Sequence, residues 1–111
     1  FDIEKRKEFI KAVFADEERI KVDEFEGLTV DFCHKVNADY ILRGLRTSAD
    51  FEFERSIGQI NNMLQNGLET VFLLTDRAHT PINSSIIRDI IRHNGDVSEL
   101  VPKQILPLIR K

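Results

Sequence analysis

The sequence has little of what disulfide-rich, zinc-binding or membrane proteins need. It contains one cysteine, Cys33, and no tryptophan, with only three prolines and five glycines in 111 residues. One cysteine excludes an internal disulfide and a zinc site built on several thiolates, and it fits a reducing compartment. No apolar run approaches the roughly 20 residues that span a bilayer, and no signal-peptide pattern opens the chain. These absences predict a cytoplasmic protein without a membrane partner.

An excess of positive charge is also lacking. The chain has 16 Lys and Arg against 19 Asp and Glu, which gives a formal net charge of −3. Such a balance provides no general attraction to nucleic acid, so no nucleic-acid partner is predicted. Any anion site must therefore be built from a few local basic residues.

Hydrophobic periodicity predicts alternating helices and strands. Helices are expected over residues 2–15, 28–36, 50–65 and 84–92, with a last helical turn opened by Pro102, and strands over residues 20–25, 40–42 and 71–74. Each connection is long enough for a parallel return, which indicates an α/β fold with a Rossmann-like parallel sheet and flanking helices. The last strand is continuously apolar, as expected for a strand covered on both faces.

Ligands of such sheets bind beyond the carboxyl ends of the strands. The run Arg43-Gly44-Leu45-Arg46 directly follows the second predicted strand. Glycine lets a backbone approach a ligand closely, and the planar guanidinium of arginine binds phosphate through two parallel hydrogen bonds. The same run is equally compatible with a surface turn carrying two solvated arginines, and spacing alone leaves both interpretations open.

Two acidic residues in the next helix share one face. Asp50 and Glu54 are four residues apart, so both could orient Arg46 or contact a ribose or a cation. The simpler explanation is that acidic side chains in a first turn are favoured by the helix dipole.

The start of the helix at residue 84 is a second candidate anion site. Asn83, Ser84 and Ser85 suit helix capping, and the free amides of a first turn also bind phosphate. Arg88, one turn on, favours the phosphate interpretation. If these groups converge with Arg43 and Arg46, they form a pocket for a polyanion. Phosphoryl or nucleotidyl transfer fits such a pocket, since it needs positioning and charge neutralisation more than a protein nucleophile.

These motifs resemble one known family. Residues 40–54, YILRGLRTSADFEFE, closely resemble the signature of phosphopantetheine adenylyltransferases, and residues 69–88 resemble the nucleotide-binding end of the same family. Residues 27–32, 95–98 and 101–102 also fit, so the likeness runs in order along nearly the whole chain. The resemblance implies the nucleotidyltransferase fold lacking its first strand, with residues 1–111 as the C-terminal part of a single adenylyltransferase domain.

The resemblance also implies an activity and its residues. The family joins the adenylyl group of ATP to 4′-phosphopantetheine, giving dephospho-coenzyme A and pyrophosphate in coenzyme A biosynthesis, with Mg²⁺ shielding the charge. It further implies a homo-oligomer, a hexamer, and coenzyme A as a product-type ligand. By resemblance, phosphopantetheine is bound by Arg43 and Thr29. ATP is bound by Gly44, Leu45, Arg46, Glu54, His79, Thr80, Pro81, Ile82, Asn83, Ser84 and Ser85.

The sequence departs from the family pattern in two respects. It contains no Thr-Phe-Asp-Pro stretch and no His-x-Gly-His pair, so it offers neither the family's catalytic histidine nor a metal ligand, and the 111 residues alone are predicted to be inactive. Asn83 replaces a common serine, while His79 and Pro81 stand where bulkier aromatic residues are frequent. Two alternatives therefore stay open: a related nucleotidyltransferase acting on nicotinate mononucleotide or a polyol phosphate, and a non-catalytic nucleotide-binding module.

Overall fold

The computed structural model describes residues 1–109, which form two compact units. One unit comprises Phe1–Glu24 together with the chain from Ile82 onward, and the other is Phe25–Pro81. The elements in chain order are α1 (Ile3–Val13), α2 (Thr29–Lys35), β1 (Tyr40–Leu45), α3 (Ser48–Leu64), β2 (Glu69–Leu74), α4 (Ser84–Arg92), a 3₁₀ turn (Lys103–Ile105) and α5 (Leu106–Ile109). Of the helices in this described part, none has the length and apolar character needed to cross a bilayer.

The helices of the first unit begin where local chemistry predicts. The Asp2 carboxylate accepts the Lys5 backbone N–H at 2.8 Å and so caps α1, which packs against the 3₁₀ turn that follows Pro102. α4 occupies the predicted residues 84–92. These helices were predictable because an N-cap acts within one turn and needs no distant partner.

The C-terminal end of α4 is closed by a paired hydrogen-bond motif. Asn94 adopts the left-handed conformation with φ of 59°, and its N–H donates to the Ile91 carbonyl at 3.0 Å. The Gly95 N–H then donates to the Ile90 carbonyl at 2.8 Å. These two bonds are those of a Schellman motif, which satisfies carbonyls that the helix leaves free.

Replacing Gly95 with alanine is expected to destabilise the first unit. The new Cβ would lie 2.6 Å from Ile90 Cγ2 and 3.2 Å from the Ile90 carbonyl oxygen, so the helix end must shift. Overpacking of this kind costs about 1–3 kcal/mol of unfolding free energy. Urea denaturation measures the change, with Gly44→Ala as the control because a Cβ at Gly44 meets no atom within 4 Å. Equal unfolding free energies for the two variants would contradict the expectation.

The second unit contains a parallel two-stranded sheet. β1 and β2 pair in parallel from Tyr40 opposite Glu69 to Leu45 opposite Leu74, and α3 makes the crossover between them. α2 contributes Val30 and Cys33 to a small core closed by Leu68. This strand–helix–strand arrangement confirms the predicted α/β class with a parallel sheet and flanking helices.

The strand predicted at residues 20–25 is absent. These residues have no regular secondary structure, and none of the described chain pairs with them in a ladder. The prediction was wrong because a strand requires a neighbour for its N–H and C=O groups as well as an alternating pattern. A pattern of side chains carries no information about that neighbour.

The predicted burial of residues 71–74 on both faces is also wrong for the described chain. α3 covers one face of the sheet, where Thr70 and Phe72 are half-buried. Val71 and Leu73 on the opposite face are 44% and 58% exposed, and Leu74 is 85% exposed. An apolar run predicts a strand but does not establish that both of its faces are covered.

Candidate functional site

Arg43 lies inside a strand and reaches a helix. β1 continues to Leu45, three residues beyond its predicted end, so Arg43 stands opposite Phe72 in the sheet. Its Nε and Nη2 donate to the two carboxylate oxygens of Glu54 on α3, at 3.0 Å and 2.7 Å. This hydrogen bonding raises the pKa of Arg43 further above its ordinary value, so the guanidinium is always charged.

Arg46 is held by the first turn of α3. The Thr47 hydroxyl caps this helix by accepting the Asp50 N–H at 3.1 Å. Asp50 Oδ2 in turn accepts the Arg46 backbone N–H at 3.3 Å and lies 3.5 Å from Arg46 Nε. Asp50 thus contacts Arg46, whereas Glu54, one turn on, contacts Arg43 and not Arg46.

A narrow pocket opens beside the Arg43–Glu54 pair. It has a volume of about 200 Å³, and α2, β1, α3 and β2 all contribute to its wall. The structure thus brings together Thr29, Arg43 and Glu54, three of the residues predicted to bind substrates. The remaining lining residues are Ile41, Ile57, Gly58, Asn61 and Thr70.

The five remaining lining residues were not predicted as site residues from the sequence. Of these, Gly58 and Asn61 follow Glu54 at four and seven positions, the spacing of one helix face. That spacing is no signal by itself, because polar residues also occur at other positions of α3. Together with Ile57 they form part of the α3 side of the pocket.

Gly58 permits a close approach of α3 to β2. A Cβ at this position would lie 3.2 Å from Thr70 Oγ1 and 3.3 Å from Thr70 Cβ. The Thr70 hydroxyl is buried, and within residues 1–109 it has no hydrogen-bond partner. The distance between the helix and the sheet is therefore set by a glycine against a threonine side chain.

Gly44 leaves the backbone of β1 open between the two arginines. It is exposed, and the space into which its Cβ would project holds no atom within 4 Å. The absence of a side chain is thus not required by packing within the described chain. It leaves room for a ligand to approach the backbone.

The start of α4 carries a cap and two exposed serine residues. Asn83 Oδ1 accepts the Ile86 N–H at 2.9 Å, while Ser84 and Ser85 are exposed. Arg88 Nη2 lies 3.3 Å from Ser85 Oγ, so an arginine stands on the same turn. Capping by Asn83 is confirmed, and phosphate binding by this turn stays a prediction.

The segment before α4 is a tight turn organised by Asp76. Its carboxylate accepts the Ala78 N–H at 2.9 Å, and its carbonyl accepts the His79 N–H at 2.9 Å and the Thr80 hydroxyl at 3.3 Å. His79, Thr80 and Pro81 are exposed and end the second unit, whereas Ile82 belongs to the first. In the part of the chain that the structure describes, no three His, Cys, Asp or Glu residues group to hold a metal ion.

Comparison with known proteins identifies relatives of this chain. The sequence profile of the family described as Cytidylyltransferase-like matches residues 1–90. A phosphopantetheine adenylyltransferase from Flavobacterium psychrophilum is 52% identical over 105 residues, which cover 95% of this chain and 69% of the relative. The enzyme of that name from Flavobacterium johnsoniae is 49% identical over 105 residues, 95% of this chain and 68% of the relative.

A more distant relative matches along almost the whole chain. The phosphopantetheine adenylyltransferase of Campylobacter jejuni is 42% identical over 110 residues, 99% of this chain and 70% of the relative. The chain belongs to the phosphopantetheine adenylyltransferase family. The resemblance carried by residues 40–54 and 69–88 is thereby confirmed, and so is the nucleotidyltransferase fold class. The roles of single residues in this family member stay predictions.

Proposed function

We propose that this family member transfers the adenylyl group of ATP to 4′-phosphopantetheine, giving dephospho-coenzyme A and pyrophosphate, in the full-length gene product. Family membership supports the reaction, and the observation that carries it to particular residues is the pocket shared by Thr29, Arg43 and Glu54. That pocket joins a permanently charged guanidinium to a narrow cleft. Such a combination suits a substrate with a phosphate at the end of a long thin arm.

The substrate phosphate is proposed to bind Arg43. Its guanidinium is 53% exposed, so part of it faces solvent although Glu54 occupies one edge. The arm of phosphopantetheine would run along Ile57 and Asn61, with Thr29 on the opposite wall. An asparagine amide offers both donors and an acceptor, which suits the two amide groups of the arm.

ATP is proposed to bind next to the substrate phosphate, at the end of β1. Gly44 and Leu45 offer backbone there, and Arg46 offers a guanidinium whose side chain is 42% exposed. From the family resemblance we propose separately that residues 79–85 bind ATP, with Ser84 and Ser85 on its phosphates. Glu54, which the resemblance also places at ATP, is engaged with Arg43 in this structure.

The reaction requires alignment and charge neutralisation. A phosphate oxygen of phosphopantetheine forms a bond to the α-phosphorus of ATP while the bond from that phosphorus to the β-phosphate oxygen breaks, and pyrophosphate leaves. Arg43 and Arg46 would hold the attacking and the attacked phosphate and lower the repulsion between them. No covalent intermediate with the protein is needed.

Mg²⁺ fits this site as an ion held mainly by the nucleotide. The carboxylates of Asp50 and Glu54 are engaged with arginines, so the described donor set favours coordination by phosphate oxygens and water. When bound, the ion supplies charge neutralisation on the leaving pyrophosphate. The protein would contribute Arg43 and Arg46, which would bind phosphate oxygens that the ion does not contact.

From the family resemblance we also propose that the protein forms a homo-oligomer, a hexamer, in the cytoplasm. Coenzyme A is proposed as a product-type ligand. Apolar side chains on α3 support a contact between copies: Ile60, Met63 and Leu64 are 55%, 82% and 59% exposed. Exposed apolar patches commonly mark protein–protein contacts. Light scattering coupled to size-exclusion chromatography gives the mass of the assembly.

The decisive experiment for the activity uses the full-length gene product. It is incubated with ATP, Mg²⁺ and 4′-phosphopantetheine, and dephospho-coenzyme A is detected by mass spectrometry alongside released pyrophosphate. Parallel reactions contain nicotinate mononucleotide or glycerol phosphate in place of phosphopantetheine. Turnover of either control at a higher kcat/KM, or nucleotide binding without turnover of any acceptor, would overturn the proposal.

Replacing Gly44 with alanine is expected to weaken ATP binding without harming the fold. The added methyl meets no atom of the described chain, and alanine is slightly favoured over glycine in a strand. If ATP lies against this backbone, the methyl should raise the ATP dissociation constant roughly 10-fold, as for a misplaced methylene in a fitted site. Calorimetric titration with a non-hydrolysable ATP analogue measures the effect. Unchanged affinity in a variant of unchanged melting temperature would show that ATP lies elsewhere.

A further inference from the structure

We infer that Glu54 is a positioning residue that presents Arg43 to the substrate phosphate, rather than a direct ligand of ATP. The inference rests on the proposed function and assigns a role within that site. Glu54 comes from α3 and Arg43 from β1, eleven positions apart, and their side chains meet through two hydrogen bonds of 3.0 Å and 2.7 Å. The carboxylate side chain is 15% exposed, whereas the arginine side chain is 53% exposed. The partner in the wall is therefore the glutamate, and the partner facing the ligand is the arginine.

The geometry of the guanidinium explains how one arginine serves two anions. Arginine has five N–H donors in a planar fork, with one edge formed by Nε and Nη2 and another formed by Nη1 and Nη2. Glu54 occupies the first edge with both of its oxygens. Three N–H groups remain, and the two of them that form the second edge are enough for bidentate binding of a phosphate in a fixed plane.

The packing of α3 against β2 restricts the movement of Glu54. Gly58 follows one turn later on α3 and lies close to Thr70 on β2, so the helix is held near the sheet. Glu54 and Gly58 both line the pocket in which Arg43 ends. The packing of α3 thus fixes the position of Glu54, and Glu54 fixes the orientation of the Arg43 guanidinium.

Charge repulsion and positioning predict opposite effects of removing Glu54 on substrate affinity. A negative carboxylate beside the phosphate site repels the substrate, so its loss should strengthen binding if only charge mattered. If positioning matters, a freed arginine must be immobilised when the substrate binds, and ordering one long side chain weakens affinity roughly 3- to 10-fold. Whether substrate affinity rises or falls therefore distinguishes charge repulsion from positioning.

The test measures dissociation constants by calorimetric titration of the full-length gene product. Glu54→Ala is expected to weaken 4′-phosphopantetheine binding roughly 3- to 10-fold, while affinity for a non-hydrolysable ATP analogue changes less than about twofold. Glu54→Gln is isosteric and keeps one hydrogen-bond acceptor. Its dissociation constant for 4′-phosphopantetheine should therefore lie between those of the unmodified protein and Glu54→Ala. Glu52→Gln is the matched control, because Glu52 lies on the same helix, is exposed and pairs only locally with Arg55 at 3.1 Å.

Three outcomes would overturn the inference. Tighter phosphopantetheine binding in Glu54→Gln would show a purely electrostatic role, and a loss confined to the ATP analogue would show direct nucleotide contact. A loss shared equally by both ligands and by Glu52→Gln would show general destabilisation. Failure of the proposed function is distinguished separately, since the unmodified protein would then form no dephospho-coenzyme A.

Discussion

Replacement of Arg43 with alanine is expected to lower kcat/KM for 4′-phosphopantetheine roughly 100- to 1,000-fold. Two charge-assisted hydrogen bonds to a phosphate, at the lower end of their usual range and about 1.5–2 kcal/mol each, account for a loss of this size. The free edge of the Arg43 guanidinium provides both, because Glu54 occupies the other edge. Steady-state kinetics at saturating ATP, in the full-length gene product, measure the effect.

Arg55 offers the matched control for that experiment. It lies on α3 and, like Arg43, has an acidic partner on that helix, Glu52, and its side chain is 48% exposed. Arg55→Ala should leave kcat/KM within about twofold, since exposed ion pairs contribute little. Arg43→Lys should recover little of the lost activity, because an ammonium cannot satisfy Glu54 and a phosphate through one planar fork. Equal losses in Arg43→Ala and Arg55→Ala would remove Arg43 from the site.

Replacement of Arg46 with alanine is expected to act on the other substrate. It should lower kcat/KM for ATP about 100-fold, mainly through a higher KM for ATP, because a charge-assisted hydrogen bond to a nucleotide phosphate contributes about 1.5–3 kcal/mol. The half-exposed guanidinium is oriented by Asp50, whose carboxylate lies 3.5 Å from Arg46 Nε. The KM for 4′-phosphopantetheine should change less than about twofold.

A crossed comparison checks this assignment. Arg43→Ala should chiefly affect phosphopantetheine and Arg46→Ala chiefly ATP, so the two variants are measured with each substrate varied in turn. Arg92→Ala serves as the control, since Arg92 is 70% exposed and pairs locally with Asp89 at 3.6 Å. The assignment of one arginine to each substrate fails if both variants change the same KM.

The sequence predicted those parts of the fold that short-range chemistry determines. Asp2 and Asn83 cap their helices through bonds to residues three positions away, so α1 and α4 were placed almost residue by residue. The strand predicted at residues 20–25 failed because pairing depends on chain that is remote in sequence. Coverage of β2 failed for the same reason, since only the packing of other elements decides it.

Some contacts of the candidate site could likewise be predicted from nearby sequence, whereas others depended on the fold. Arg43, Arg46 and Asp50 were recognisable because they stand within a short run, and the Asp50–Arg46 contact spans four positions. The bidentate pair of Arg43 and Glu54 spans eleven positions and two elements, so it depended on how α3 returns over β1. Asn61 was missed because a single polar residue on a helix has no local signature of ligand binding.

The closeness of α3 to β2 at Gly58 has a consequence for tuning affinity. A larger residue there would press on Thr70 and lift the helix by a few tenths of an ångström, and the carboxylate one turn earlier would travel with it. Arg43 would then tilt, although its own side chain had not been altered. Substrate affinity would therefore depend on how closely one helix packs against the sheet, as well as on the charged groups that bind the phosphate.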